Sequence, residues 1–185
     1  MVLALGSAAG TIAQQRALSF SNSTGKVRVD ATGFALYDSA GHKRLTLGFN
    51  TANEPGMYIW DKNGVDRLGA YMSAKGQPVF RLTDAAKNDR AFFGLTGDAH
   101  EPRISLEDAS GNERFYVGLS TANSALLTMS TPSNKEVIRM QGSDAPFLRF
   151  SDGSGTTRGY AGIFTDGSAG FASYNESGTQ TWTAP

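Results

Sequence analysis

One short pattern, repeated along the chain, constrains what this protein can fold into more than any other feature. An Asp, or a residue in its place, recurs at Asn22, Asp38, Asp61, Asp84, Asp108, Thr131, Asp152 and Asn175. From Asp38 onward the gaps are 23, 23, 24, 23, 21 and 23 residues, and only the first, of 16, is short. Three positions on stand Gly41, Gly64, Gly111, Gly155 and Gly178, with Lys87 and Asn134 in two copies. Six positions on stand Arg28, Arg44, Arg67, Arg90, Arg114 and Arg158, with Val137 and Thr181 in the other two. Self-similarity at a fixed period implies one supersecondary unit repeated, and a fold made by stacking such units.

Each unit reads as two strands around a turn. Ahead of the Asp, apolar residues alternate with others: Phe34/Leu36, Met57/Ile59, Phe80/Leu82, Ile104/Leu106, Leu127/Met129 and Leu148/Phe150. Past the Arg the alternation resumes, as in Leu45/Leu47/Phe49, Ala91/Phe93/Leu95 and Phe115/Val117/Leu119. Period two is strand periodicity with one face of a sheet buried. The Asp, Asn, Ser and Gly between the arms supply Asx-type bonds and positive φ for a tight connection. The Asp and Arg then flank the turn on opposite arms, placed to form a solvated salt bridge across it.

The fold class expected is therefore all-β: tandem two-stranded repeats of about 23 residues over 17–185, some eight units, in an elongated β-hairpin array or a β-solenoid. Short turns favour hairpins over parallel rungs. Sixteen strands at about 4.8 Å each would make a sheet some 75 Å long, and its Phe/Leu face cannot stay wet. Either the sheet coils so that this face lines a narrow interior, or two or three chains wrap their faces together.

The other face carries the candidate site. All six tyrosines lie out of phase with the Phe/Leu positions: Tyr37, Tyr58, Tyr71, Tyr116, Tyr160 and Tyr174. Trp60 and Phe92 join them, interleaved with Arg81, Arg149, Thr46 and Ser105. Tyr and Trp serve where a ring buries its body and keeps a polar tip wet. Such a face can stiffen a sheet through cross-strand pairs, form a subunit interface, or stack against sugars.

Chemistry-bearing motifs are sparse. The chain has no Cys, so thiolate chemistry and disulfides are excluded. Its two histidines, His42 and His100, stand in a turn and a loop without partners at metal-ligand spacing. Asp61-Lys-Asn-Gly-Val-Asp66 opens like a calcium loop, but its twelfth position is Met72 where an EF-hand needs Glu. No nucleophile elbow, phosphate loop or zincin motif occurs. The expectation is no catalytic residue, no metal and no cofactor. With 17 basic and 17 acidic residues, nothing points to nucleic acid or an anionic membrane.

Residues 1–16 stand apart as an apolar, small-residue segment with no charge before Arg16. The run is too short to span a bilayer and lacks a basic leader, so it reads as a signal remnant or a docking segment.

The tandem L-x-D-x-x-G-x-x-R units resemble those of poorly characterised exported bacterial proteins, many with an apolar N-terminal segment and a Trp near the C-terminus, as in TQTWTAP here. The resemblance covers residues 17–185. It implies an exported, extracellular or cell-surface protein without enzymatic activity, and it carries no active site. Two functions are expected from these readings. One is a homo-oligomeric structural subunit of a fibre, filament or tail-fibre-like assembly. The other is a carbohydrate-binding or adhesion module using the aromatic face.

Overall fold

The computed structural model describes residues 17–50, 53–164 and 166–185. They form β1 (Leu18–Asn22), β2 (Gly25–Asp30), β3 (Gly33–Asp38), β4 (Lys43–Phe49), β5 (Pro55–Trp60), β6 (Asp66–Met72), β7 (Pro78–Thr83) and β8 (Asp89–Thr96). The second half gives β9 (Glu101–Glu107), β10 (Glu113–Leu119), β11 (Ala125–Ser130), β12 (Glu136–Gly142), β13 (Phe147–Ser151), β14 (Thr157–Ile163), β15 (Ala169–Tyr174) and β16 (Gln180–Ala184). There is no helix among the described residues. The apolar N-terminal segment 1–16 lies outside them.

The strands form one sheet in chain order, β1 to β16, and every neighbouring pair is antiparallel. The array is thus built of hairpins, not parallel rungs. β1 and β16 do not pair with each other, so the sheet is open and does not coil into a closed interior.

The turns explain the period. Asp38 N–H donates to the His42 carbonyl (2.9 Å) and Gly41 N–H to the Asp38 carbonyl (3.0 Å), and the same two bonds recur at Asp61, Asp84, Asp108, Thr131, Asp152 and Asn175. The residue three past the Asp has positive φ, 84° at Gly41, 71° at Lys87 and 60° at Asn134. This is a three-residue hairpin with a bulge, and the ladder register shifts beside it, as between Leu36 and Tyr37 or Ile59 and Trp60. At the opposite edge, Asn50, Ser73, Ser120 and Phe164 close the same two bonds. The first two hairpins pair Asn22 with Gly25 and Asp30 with Gly33 directly. Those two-residue turns make the first gap short.

Register aligns the apolar residues into two columns that cross all sixteen strands. One runs Phe20, Val27, Leu36, Leu45, Ile59, Leu68, Leu82, Ala91, and continues through Leu106, Phe115, Met129, Ile138 and Phe150 to Trp182. The second runs from Leu18 through Phe34, Leu47, Met57, Ala70, Phe80, Phe93 and Ile104 to Leu127, Met140, Phe171 and Ala184.

The expectation that this face is dry core is corrected in the single chain. Leu47, Phe80, Leu106, Met140 and Phe150 are exposed, and Phe93 is 59% exposed. The buried strand residues are Gly69, Val79, Thr83, Ser105, Gly170 and Ala172, all on the Tyr/Arg face. The reason is side-chain reach. On an open sheet Leu and Phe stand up from the surface and cover little. Long Arg, Tyr and Trp side chains lie across their neighbours and shield them.

Candidate functional site

All eight aromatic candidates fall on the Tyr/Arg face, as their parity requires, and all are half-buried. They do not form one continuous stripe. Tyr58, Trp60 and Tyr71 make a cluster, with Tyr58 stacked on Tyr71 at 5.7 Å and tilted against Trp60 at 6.4 Å. Tyr160 stacks between Phe147 (5.6 Å) and Phe164 (5.4 Å). Phe92 and Tyr116 stand on either side of Ser105, which is 0% exposed and has an Oγ without a hydrogen-bond partner. Tyr37 stands away from these groups under Lys26, whose Nζ lies 4.7 Å from the ring centre. The Tyr174 backbone carbonyl accepts from Arg158 Nε at 3.1 Å.

Between the rings lie guanidinium planes. Arg81 covers the Tyr71 ring and bonds Asp66 at 2.6 Å, while Arg103 covers Phe92 and bonds Glu113 at 2.7 Å. Arg139 and Arg149 sit directly opposite on β12 and β13, a like-charge pair that is unfavourable alone. Glu136 bonds both, and Gln141 accepts from Arg139 at 2.9 Å, which offsets the repulsion. Burial pushes the Glu107 carboxyl and the Tyr58 and Tyr116 hydroxyls above their ordinary pKa values. The Tyr116 and Tyr160 hydroxyls donate within their own strands, to the carbonyls of Leu119 (3.0 Å) and Ile163 (2.8 Å). The face therefore presents stacked rings and paired charges.

Sequence reasoning missed Phe147, Phe164, Arg103 and Arg139 here. Phe147 and Arg103 were legible, being out of phase with Leu148 and Ile104 on their own strands. Phe164 opens a loop turn, where period-two reading has nothing to say.

The turn edge is more regular. Asp61 Oδ1 accepts from the N–H groups of Asn63 (2.8 Å) and Val65 (3.1 Å), and its Oδ2 lies 3.5 Å from Arg67. The expected Asp–Arg pair recurs at Asp38/Arg44, Asp84/Arg90, Asp108/Arg114 and Asp152/Arg158. The Arg does a second job that spacing alone did not reveal. Its side chain crosses to the next repeat and donates to the backbone carbonyl of Trp60, Thr83, Glu107 or Tyr174. Arg114 reaches the Thr131 carbonyl likewise. Five of the six periodic arginines thus tie a turn to the following unit, while Arg28, after the two-residue turn, pairs instead with Asp30 at 2.6 Å.

These bonds hold the turn carboxyls below their ordinary range. At Asp61 and Asp84 the main cause is a backbone N–H, from Val65 and Asn88. For Asp108 it is the Arg114 guanidinium, and for Asp152 the Ser154 hydroxyl. A carboxyl with a lowered folded-state pKa adds stability above its unfolded value of about 3.9, which is lost as pH falls through the folded value. Melting temperature is therefore expected to hold between pH 5 and 8 so far as these groups govern it, and to drop below about pH 4. Asp108→Asn keeps the Oδ1 acceptor, as Asn175 does (Ser177 N–H 3.1 Å, Thr179 N–H 2.9 Å), and should shallow that acid limb. An unchanged acid limb would refute the assignment.

Among the described residues no three His, Asp or Glu side chains converge to hold a metal ion. Nor is any helix there long and apolar enough to cross a membrane. No protein-family model and no curated protein matches the chain.

Proposed function

We propose that this chain is a non-enzymatic structural repeat protein, a homo-oligomeric subunit of an extracellular fibre, filament or tail-fibre-like assembly. The observation that carries the reading is one sheet of sixteen strands whose apolar face runs unbroken from end to end. A repeat held together by backbone ladders and turn staples, with its ring and charge chemistry turned inward on itself, suits a scaffold. The likeness of its repeats to those of exported bacterial proteins supports the extracellular setting.

Negative-stain microscopy with sedimentation of the purified protein tests this directly. Elongated particles heavier than one chain are expected. Deleting residues 1–13 should leave the β-sheet circular dichroism unchanged and lower the assembly state. A monodisperse monomer for both forms would remove the structural reading.

A second reading, a carbohydrate-binding or adhesion module, is favoured by the half-buried Tyr58–Trp60–Tyr71 cluster. Stacked rings on a sheet face can take a sugar ring against them. Oligosaccharide-dependent quenching of Trp fluorescence, abolished by Trp60→Ala, would establish that reading.

A further inference from the structure

We propose that the Phe/Leu face is buried against the same face of a second copy of this chain, with the Tyr/Arg face turned outward. This rests on the structural reading above and names the surface and partner it uses.

The two columns contain no charged residue, and Ser173 is the one position that is neither apolar nor Gly. Every large exposed hydrophobic side chain among the described residues lies on this face, from Leu18 and Phe20 on β1 to Trp182 on β16. Soluble proteins rarely leave contiguous apolar patches of more than a few hundred Å² open to water. Here fifteen strand spacings of about 4.8 Å and a strip about 14 Å wide give roughly 1,000 Å². A stable interface needs about 800 Å² from each partner, so this one face is enough for a lasting pair.

Length selects the occupant. A partner must match an apolar strip about 72 Å long with the two-strand pitch of about 9.6 Å. A second copy has that length and pitch by construction. The face also has relief: two open apolar grooves of about 600 Å³ each, one around Met57 and Ala70, the other around Met140 and Ala161. Phe93 and Phe171 project beside them, knobs of the kind such grooves accept.

Other occupants fit poorly. A glycan would find hydrogen-bonding side chains along the columns only at Ser173 and Trp182, which pair at the β15–β16 end. A bilayer would meet strands of five to eight residues, against the roughly 9–11 a spanning strand needs. The opposite face, with its ion pairs in place, is already fit for water.

The chain has no Cys, so an introduced one is its sole thiol and a clean reporter. Met140→Cys probes the apolar face, and Thr183→Cys the opposite face, where Thr183 is exposed beside Ala172. In the full-length native protein, maleimide labelling at position 140 should be at least tenfold slower than at 183, and equalise in denaturant. Phe93→Lys with Met140→Lys, both exposed in the single chain, should keep the β spectrum and halve the sedimenting mass or more, whereas Thr183→Lys should not. If Thr183→Lys alone dissociates the protein, the aromatic face is the interface; this inference falls and the structural reading stands. A wild-type monomer with both thiols freely labelled sinks both. A wild-type monomer that floats with neutral phosphatidylcholine vesicles assigns the face to lipid and overturns the proposal. Should the double Lys variant fail to fold, the labelling ratio decides.

Discussion

Phe80→Ala is expected to cost about 3–5 kcal/mol at protein concentrations where the apolar faces are covered, and well under half of that at high dilution. Phe80 lies opposite Ala70 on β6 and Phe93 on β8, in the middle of its column. In the single chain it is 40% exposed, because an open sheet gives it lateral neighbours and nothing above. Truncating a half-exposed ring loses part of the transfer term and leaves no sealed cavity. With a second copy on top, the same truncation adds a cavity term. The two situations separate in urea unfolding curves run over a hundredfold range of concentration, since oligomer stability depends on mass action. His42→Ala, at an exposed turn, serves as the reference of small effect. A Phe80 effect that is large and independent of concentration would mean that the ring is buried within one chain.

The fold was legible in the sequence because its two signals agree everywhere. Alternation placed Leu36, Leu82, Leu106 and Phe150 in one column and Phe34 and Phe80 in the other, and the turn chemistry set the register between them. What alternation cannot report is which face ends up covered. It marks Leu106 as apolar and Ser105 as polar, yet Ser105 is sealed and Leu106 is open. Coverage depends on the length of the neighbours: Phe92, Tyr116 and Arg103 lie around Ser105, whereas Ala91 and Phe115 flank Leu106. The candidate aromatic face was legible in membership but not in grouping. Parity assigns Tyr58, Tyr71 and Tyr160 to one side, but which rings touch depends on strand offsets that the bulges set. The Arg staple was half legible: the six-residue spacing announced the Asp partner, and the carbonyl sixteen or seventeen residues on was invisible until the strands were paired.

Gly94→Val is expected to lower stability by about 2–3 kcal/mol, while Gly64→Asn, a change at an equally prominent glycine, should be nearly neutral. The two glycines are needed for different reasons. Gly94 follows Phe92 by two residues on β8, on the aromatic face. A Cβ there would stand 2.5 Å from the Pro78 carbonyl oxygen and 3.1 Å from both Phe92 Cζ and Val79 Cα. Two of those three atoms are backbone of β7, so relief requires the ladder itself to move, and a branched side chain makes the crowding worse. Gly118 repeats the arrangement beneath Tyr116, with the ring hydroxyl at 2.6 Å from the same hypothetical atom. These glycines let an aromatic ring fold down onto the sheet, and the flat ring layer is what shields the face. Gly64 sits in a turn with φ of 77° and open space around it. Its requirement is the left-handed backbone alone, and Asn tolerates that conformation better than most residues. The chain already makes the substitution, since Lys87 and Asn134 hold the equivalent turns at φ of 71° and 60°. Thermal melts of the two single variants, with near-ultraviolet circular dichroism to follow the ring layer, separate the roles. Gly94→Val should weaken the aromatic signal as well as the fold, and Gly64→Asn should leave both in place. Equal losses at the two sites would mean that the glycines serve the turns and the sheet alike, and that ring packing on the Tyr/Arg face does not set their positions.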